Sequence, residues 1–533
     1  MAVFDIFLTK GGRHPLATRG GVQGAIDALP TAVRREALHK AAEWFASLDS
    51  PGLSAAQRLD ILLSFDDAVH KFLGLLWMHL RGSQTKDLAF VGTRRALIEY
   101  CAEFSRQVNR LIDEVAQNSD QKHIRGDDLF VLAARGLRAL DGWKRARHLD
   151  HEIIPPEIWA RLFATLRFAF QWKAETREIQ IYKDETTTLQ REFLHAVILD
   201  TLPIANLGWR QIEIMNAVLD QFSDKFLLGS EAGQLTPYFL DLSQNSGPQH
   251  ASRTLAPDSA IFVGPGAAFP DIVELAAQLS ANHDLPTWLS LPKSSNNAEI
   301  MKALTLTIRH WSRTPPQRKL NRRLSTESLQ IVHGFQQTRA ALSLMKSTAK
   351  TDTPSLGYYA NNPIYTTQQL GKPRRAAPDT AETWEIVDES PTGVGIVPRI
   401  KPPMTLAVGA LIGCFRTREE QWQIAIARRT SHDRKGRFLV GIQFIRGNPC
   451  AASIGLRINK TGAPLTRDDI TWCEVIALDD QKILLVERRG FSPGMIAQLQ
   501  VCDQDKQYIK LAKLEEAHVD WEYWSFLPTM ERE

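Results

Sequence analysis

Long apolar runs are missing from this 533-residue chain. The longest nearly uncharged one, Met404 to Phe415, holds 12 residues, well short of the roughly 20 that a membrane-crossing helix needs. A transmembrane anchor and membrane insertion are therefore not expected. Asp5 interrupts the apolar patch of the N-terminal stretch MAVFDIFLTKGG, so a secretory leader is not expected either. The expected location is the cytoplasm. Cysteine is also scarce. Cys101, Cys414, Cys450, Cys473 and Cys502 stand at least 23 residues apart, with no CxxC or CxxH spacing. That pattern excludes a disulfide framework and leaves no sequence-local zinc cluster. A large excess of one charge is absent too: 64 Lys and Arg face 60 Asp and Glu, a formal net charge of +4. A protein that coats nucleic acid or anionic membrane usually carries more, so any basic function must be local. GxGxxG, the Walker pattern, GxSxG and HExxH do not occur, and no reaction is expected of the chain.

What the chain does have is ordinary globular material, 44% apolar and 23% charged, in enough length for several domains. From about residue 30 to 230, apolar side chains recur at three- and four-residue steps, as in SAAQRLDILLSFDDAVHKFLGLLWMHLRG. This spacing predicts amphipathic helices. Ser54 and the Pro155-Pro156 pair are start signals for two of them. The expectation is an all-α N-terminal domain over residues 1–245, closed by the turn-rich stretch Ser243 to Pro257. A connecting region, 246–313, reads as strand, Gly-Pro-Gly turn and helix, with the turn an ordinary one rather than a phosphate loop. Beyond Leu324 the period changes. Runs such as TWEIVDE, QWQIAIARR and RFLVGIQFI alternate apolar with polar residues between turn formers, the mark of short antiparallel strands. A barrel is the natural closure because it removes exposed edges. The reading places a β-barrel at 314–446 with a long irregular insertion at 343–380, a hinge at Gly447 to Pro464, and a small C-terminal β module at 447–533. The fold class is α+β multidomain.

One stretch departs from the even charge balance. Between Met301 and Thr326 there is no acidic residue, while Lys302, Arg309, Arg313, Arg318, Lys319, Arg322 and Arg323 supply positive charge. Pro315-Pro316 should end the preceding helix and leave the arginines on a loop at the barrel's mouth. A guanidinium there can grip phosphate oxygens, bond the O6/N7 edge of guanine or stack on a purine. About 65 residues later, WEIVDESPTGVGIVP contains Asp388, Ser390 and Gly393 in the pattern DxSxxG. Trp384, Ile386 and Val394 are the expected inward positions. The carboxylate at such a turn can accept from the N1–H and N2–H2 donors of guanine, and the glycine lets backbone approach a ligand.

An RxxxR (Arg318, Arg322) before a barrel's first strand, followed by a DxSxxG at the end of the next, resembles the PilZ domain, the bacterial receptor module for cyclic di-GMP. The strands VGALIGC and RFLVGIQFI follow in the order that family has. The resemblance covers about Pro316 to Arg446. It implies that Arg318 and Arg322, with Arg323 as an extra contact, bind the phosphates and Hoogsteen edges of cyclic di-GMP. Asp388, Ser390 and Gly393 would hold a guanine. Two departures stand out. The interval between the motifs is much longer than usual, which costs little because closure entropy grows only logarithmically. Gln317 occupies a position where many relatives have an arginine, so ligand stoichiometry stays open, as does oligomeric state.

The expected function is that of a cyclic di-GMP-binding effector with no other cofactor. The loop Thr314 to Leu324 would order on the ligand and re-set the helical domain toward a protein partner. The alternative is a β-barrel that binds single-stranded nucleic acid through the same arginines and Tyr358, Tyr359 and Tyr365 of the insertion. His148, Asp150 and His151 read as a helix end, and Asp66, Asp67 and His70 as surface or capping residues. Arg428 and Arg429 either face the ligand or solvate a strand end.

Overall fold

The computed structural model describes residues 14–83, 86–117, 126–281, 285–286, 289, 297–312, 314–316, 321–350, 380–399, 406–416, 421–433, 435–457, 470–488, 490–501, 505–518 and 520–530. The chain divides into two compact units, Met1–Gln317 and Arg318–Glu533. The fold is α+β, a helical unit followed by two six-stranded antiparallel β-barrels.

The first unit begins with α1 (Arg19–Asp27), α2 (Arg34–Ser47), α3 (Ala55–Gly82), α4 (Leu88–Gln117), α5 (Gly126–His148) and α6 (Pro156–Gln171). The start signals act where they stand. Gln57 N donates to Ser54 Oγ at 3.2 Å and Ser54 N donates to Gln57 Oε1 at 2.9 Å, a reciprocal box that satisfies two otherwise orphaned donors of α3. Pro156 opens α6, where a missing N–H costs nothing. α5 is the central helix, with 17 of its 23 residues buried. α4 comes close to it at two glycines: a Cβ at Gly136 would lie 2.7 Å from Val108 Cγ1, and one at Gly142 3.1 Å from Cys101 Sγ. The charges that α5 buries are paired, Lys144 with Asp200 and Arg145 with Glu213, as burial requires. α5 ends at His148, in keeping with the helix-end reading of HLDHE. His148 Nε2 lies 3.1 Å from Asp200 Oδ1, and Asp150 takes Arg94 at 2.7 Å.

The unit is not all-α. After α6 come a hairpin of β1 (Ile179–Tyr182) and β2 (Glu185–Thr187), then α7 (Leu189–Ile198) and α8 (Trp209–Gln221). Next, β3 (Leu227–Gly229), β4 (Tyr238–Asp241), β5 (Gln249–His250) and β6 (Ala260–Gly264) form a sheet in the order β3-β6-β4-β5. The turn-rich stretch 243–257, expected as a boundary, lies within that sheet, where Tyr238 pairs with His250. Turn formers mark a change of direction inside a sheet as readily as a domain limit. α9 (Ala268–Ser280) and α10 (Asn297–Trp311) follow. Trp311 is buried and its Nε1 donates to Thr201 Oγ1 at 2.7 Å, which ties α10 back to the bundle. The surface reading of Asp66 and His70 is also corrected. Asp66 is 2% exposed and His70 half-buried; only Asp67 has a solvent-facing side chain. Among the described residues no helix is long and apolar enough to cross a membrane, and no cluster of His, Cys, Asp or Glu is set to hold a metal ion.

The second unit starts with β7 (Arg323–Leu324), β8 (Ser328–His333), α11 (Phe335–Lys350), β9 (Glu382–Ser390), β10 (Gly393–Pro398), β11 (Leu411–Arg416), β12 (Gln421–His432) and β13 (Phe438–Phe444). The ring closes in the order β8-β9-β10-β13-β12-β11, with β7 paired to the end of β9. Alternate residues fill its interior, among them Ile331, Trp384, Ile386, Val394, Ile412 and Ile442, so the inward positions expected on β9 and β10 are met. The expected insertion at 343–380 begins as helix instead. α11 runs through 343–350, because Phe335, Ala341 and Leu342 give it an apolar face to bury. Residues 351–379, with Tyr358, Tyr359 and Tyr365, lie outside the described residues.

The C-terminal module is a second closed barrel rather than a small appendage. β14 (Cys450–Arg457), β15 (Ile470–Leu478), β16 (Ile483–Glu487), β17 (Ile496–Val501), β18 (Gln507–Ala517) and β19 (Trp521–Pro528) close in the order β14-β15-β16-β19-β18-β17. The hinge expected at Gly447 to Pro464 is in part β14 itself. The two barrels share an apolar seam in which α11, β11, β12, β15, β16 and β19 all take part. Trp521 sits in it, 2% exposed, and its Nε1 donates to Gly409 O at 2.9 Å. Gly409 has φ +92°, and a Cβ there would lie 2.5 Å from His518 Nδ1; only glycine suits both conditions. Arg428 seals the rim with bonds of 2.6 and 2.7 Å to Glu516.

Candidate functional site

The candidate site forms where the two sequence motifs meet. β9 runs to Ser390, turns through Pro391 and Thr392, and returns as β10 from Gly393. Ser390 Oγ donates to Gly393 O at 2.9 Å and clamps the turn. The loop that carries the arginines is drawn alongside by two residues of sheet pairing, Arg323 opposite Glu389 and Leu324 opposite Asp388. That register delivers the Arg322 guanidinium to the Asp388 carboxylate, which it meets through Nη1 and Oδ1. RxxxR and DxSxxG, 66 residues apart in the chain, are thus joined by an ion pair between one member of each.

Two glycines make the arrangement possible, for different reasons. A Cβ at Gly393 would lie 2.2 Å from Ile442 O, a backbone atom of the neighbouring strand β13. Gly393 is therefore required by strand packing. A Cβ at Gly395 would lie 2.4 Å from Asp388 Oδ1 and 3.2 Å from Arg322 Nη1, so Gly395 keeps open the space in which the ion pair sits. The substitutions should separate accordingly. Gly393→Ala is expected to destabilise the second unit by about 2–3 kcal/mol, since the strands must part. Gly395→Ala is expected to leave stability nearly unchanged while it turns the Arg322 and Asp388 side chains away from each other. Thermal melts beside ligand titrations check both.

A groove of about 610 Å³ opens at the chain neighbours of the pair, Arg323 and Glu389. Arg323, Glu389, Ser390, Arg416, Gln423 and Phe444 line it. The Arg416 guanidinium is 5.6 Å from the Phe444 ring and its Nη2 3.4 Å from Glu389 Oε2. The Arg323 side chain is exposed and meets no hydrogen-bond or ion-pair partner among the described residues. The groove therefore offers two guanidiniums against one carboxylate, an aromatic face, and the amide and hydroxyl of Gln423 and Ser390. These suit an anion that also carries a flat ring with hydrogen-bonding edges.

Of the residues expected at the site, Arg323 and Ser390 line the groove, whereas Arg322 and Asp388 meet in the neighbouring ion pair and Gly393 closes the turn after Ser390, none of the three in the groove's lining. Arg318 lies outside the described residues. Arg428 is committed elsewhere: besides Glu516 it donates to Gln443 Oε1 at 2.8 Å. Arg416, Phe444 and Gly395 escaped the sequence reading. A second glycine two residues after Gly393 on one strand was the available signal, since repeated strand glycines mark close approach. Arg416 and Phe444 come from β11 and β13 and reach the groove only through barrel closure.

Residues 21–232, about two-fifths of the chain, match a family model described as "Cyclic-di-GMP receptor FimW, N-terminal domain". No curated protein matches the chain. The helical unit is accordingly similar to the N-terminal domain of a receptor for cyclic di-GMP.

Proposed function

We propose that the protein is a receptor for cyclic di-GMP and binds it in the groove of the first barrel, in the manner of a PilZ domain. The observation that carries this reading is the contact between Arg322 and Asp388, which sets a phosphate-binding cation and a guanine-binding carboxylate side by side. The description of the family matched by the helical unit supports the same ligand.

Both side chains of the pair are about a quarter exposed, 26% and 28%. An ion pair so open to water is worth at most about 1 kcal/mol. A ligand that gives Arg322 a phosphate or a Hoogsteen edge, and gives Asp388 the N1–H and N2–H2 of guanine, returns more than that. The pair is thus a latch that the ligand opens by offering each partner a better one. Arg323 adds a second cation, and Phe444 a face for the base. Opening the latch frees the loop from Thr314 to Leu324 to re-form on the ligand, and the change passes to the helical unit and its protein partner. Such a switch needs a few kcal/mol of differential affinity.

Calorimetric titration tests the ligand. Cyclic di-GMP is expected to bind saturably at micromolar protein. Cyclic di-AMP should bind at least about 100-fold more weakly, because adenine lacks the N1–H and N2–H2 donors for the Asp388 carboxylate, and GMP likewise, because it brings one base and one phosphate in place of two. Equal affinity for all three, or no heat with cyclic di-GMP, would overturn the proposal.

A further inference from the structure

We infer that the helical unit carries a second binding site, separate from the barrel groove, for a small anion such as a phosphomonoester or a carboxylate, with Arg191 as its anchor. The site is a partly open pocket of about 400 Å³ lined by α3, α4, α5, the β1–β2 hairpin, α7 and the end of α8. That volume falls in the range of small-molecule pockets. It is more than ten times the roughly 30 Å³ share of one water.

The lining is charged, and nearly all of that charge is already spent. Asp66 accepts from Tyr100 Oη at 2.7 Å and Tyr182 Oη at 2.8 Å, and faces Arg135 at 3.2 Å. Glu192 holds Arg138 at 2.6 and 3.1 Å, and Glu185 takes the same guanidinium at 2.8 Å. His195 lies between Asp220 at 2.7 Å and Asp141 at 3.3 Å. Burial works against its charge, but the two carboxylates overcome this and hold its pKa up at about 10. The aromatic faces are engaged as well: Arg145 covers Trp77 at 4.0 Å and Arg135 covers Tyr182 at 4.4 Å. These networks leave a hydrogen-bonded polar lining around the pocket.

What remains unspent identifies the ligand. The Arg191 guanidinium donates only to Ser223 Oγ, at 3.1 and 2.9 Å, and has no carboxylate partner among the described residues. His70 is stacked on Tyr182, ring centroids 3.6 Å apart, and its nitrogens make no hydrogen bond among the described residues. Burial pushes its pKa down, so at neutral pH it presents one donor and one acceptor. One cation, a hydroxyl and a neutral imidazole suit a molecule with a single acid group and a polar body. The five carboxylates of the lining disfavour a polyanion, and a cyclic dinucleotide with two phosphates is the wrong guest here. The site thus stands apart from the groove reading and can fail or succeed without it.

The test uses the full chain and three probes, inorganic phosphate, glycerol 3-phosphate and lactate, followed by calorimetry. At least one is expected to bind saturably below about 10 mM. Arg191→Ala should weaken that binding about tenfold or more with cyclic di-GMP binding unchanged, while Arg322→Ala leaves the small-anion binding intact. If Arg191→Ala melts early, Ser223→Ala, which removes the partner that orients the guanidinium, is expected to weaken the same probe about threefold. No saturable binding by any probe, or equal affinity in wild type and both variants, would overturn the inference. Preference for the two phosphates over lactate, or the reverse, assigns the acid group.

Discussion

Arg322→Ala is expected to weaken cyclic di-GMP binding about 30- to 100-fold while the protein melts within about 3 °C of wild type. The two halves of this expectation come from one geometry. In the free protein Arg322 meets Asp388 in a quarter-exposed ion pair, whose loss costs at most about 1 kcal/mol of stability. In the complex its guanidinium makes charge-assisted, bidentate contacts to the ligand, worth about 3 kcal/mol, and each 1.4 kcal/mol is tenfold in affinity. Asp388→Asn should also weaken binding, since an amide cannot replace a carboxylate that accepts two donors. The double variant should lose more than the sum by about the worth of the free-state pair, because each single variant is spared the cost of opening it. Titration of the four proteins closes the cycle. A variant that lost stability and kept affinity would make the pair a structural brace.

The largest effect on stability is expected from Trp521→Ala. Trp521 is 2% exposed in the seam between the barrels, and its indole N–H satisfies Gly409 O. Truncating a buried tryptophan costs about 3–5 kcal/mol, and the orphaned carbonyl adds to it. In a unit of this size that lowers the melting temperature by roughly 8–16 °C. Trp521→Phe keeps most of the apolar area and loses only the hydrogen bond, so its shift should be less than half as large. Differential scanning calorimetry reads both. A shift under 2 °C for the alanine variant would mean that Trp521 contributes little and that the polar ties, Arg428 to Glu516, Arg339 to Glu474 and Gln336 to Glu487, do more to hold the barrels together.

Strand alternation made the first barrel legible. It placed Trp384, Ile386 and Val394 inside, and all three are at most 2% exposed. Caps and prolines located the starts of α3 and α6 because these signals act within one turn. Signals that depend on distant partners were silent. Asp66 reads as a surface carboxylate on α3 until Tyr100 and Tyr182, 34 and 116 residues away, close over it. Strands as short as β3 and β5, of three and two residues, are too brief to show a period. α11 was hidden because its apolar face packs on the seam, and the second barrel because its strands read as a module until closure pairs β14 with β17. At the candidate site the motif residues were readable in the sequence, whereas Arg416 and Phe444 enter from other strands and belong to the groove only in three dimensions.

The central claim is a location, and a crystal structure of the intact protein with cyclic di-GMP measures it directly. The account predicts the dinucleotide in the groove of the first barrel, with a phosphate or guanine edge on Arg322 and Arg323, a guanine on Asp388, and the Arg322 to Asp388 contact broken. Cyclic di-GMP found instead in the pocket lined by Arg135, Arg138 and Arg191, with the Arg322 to Asp388 pair intact, would contradict it.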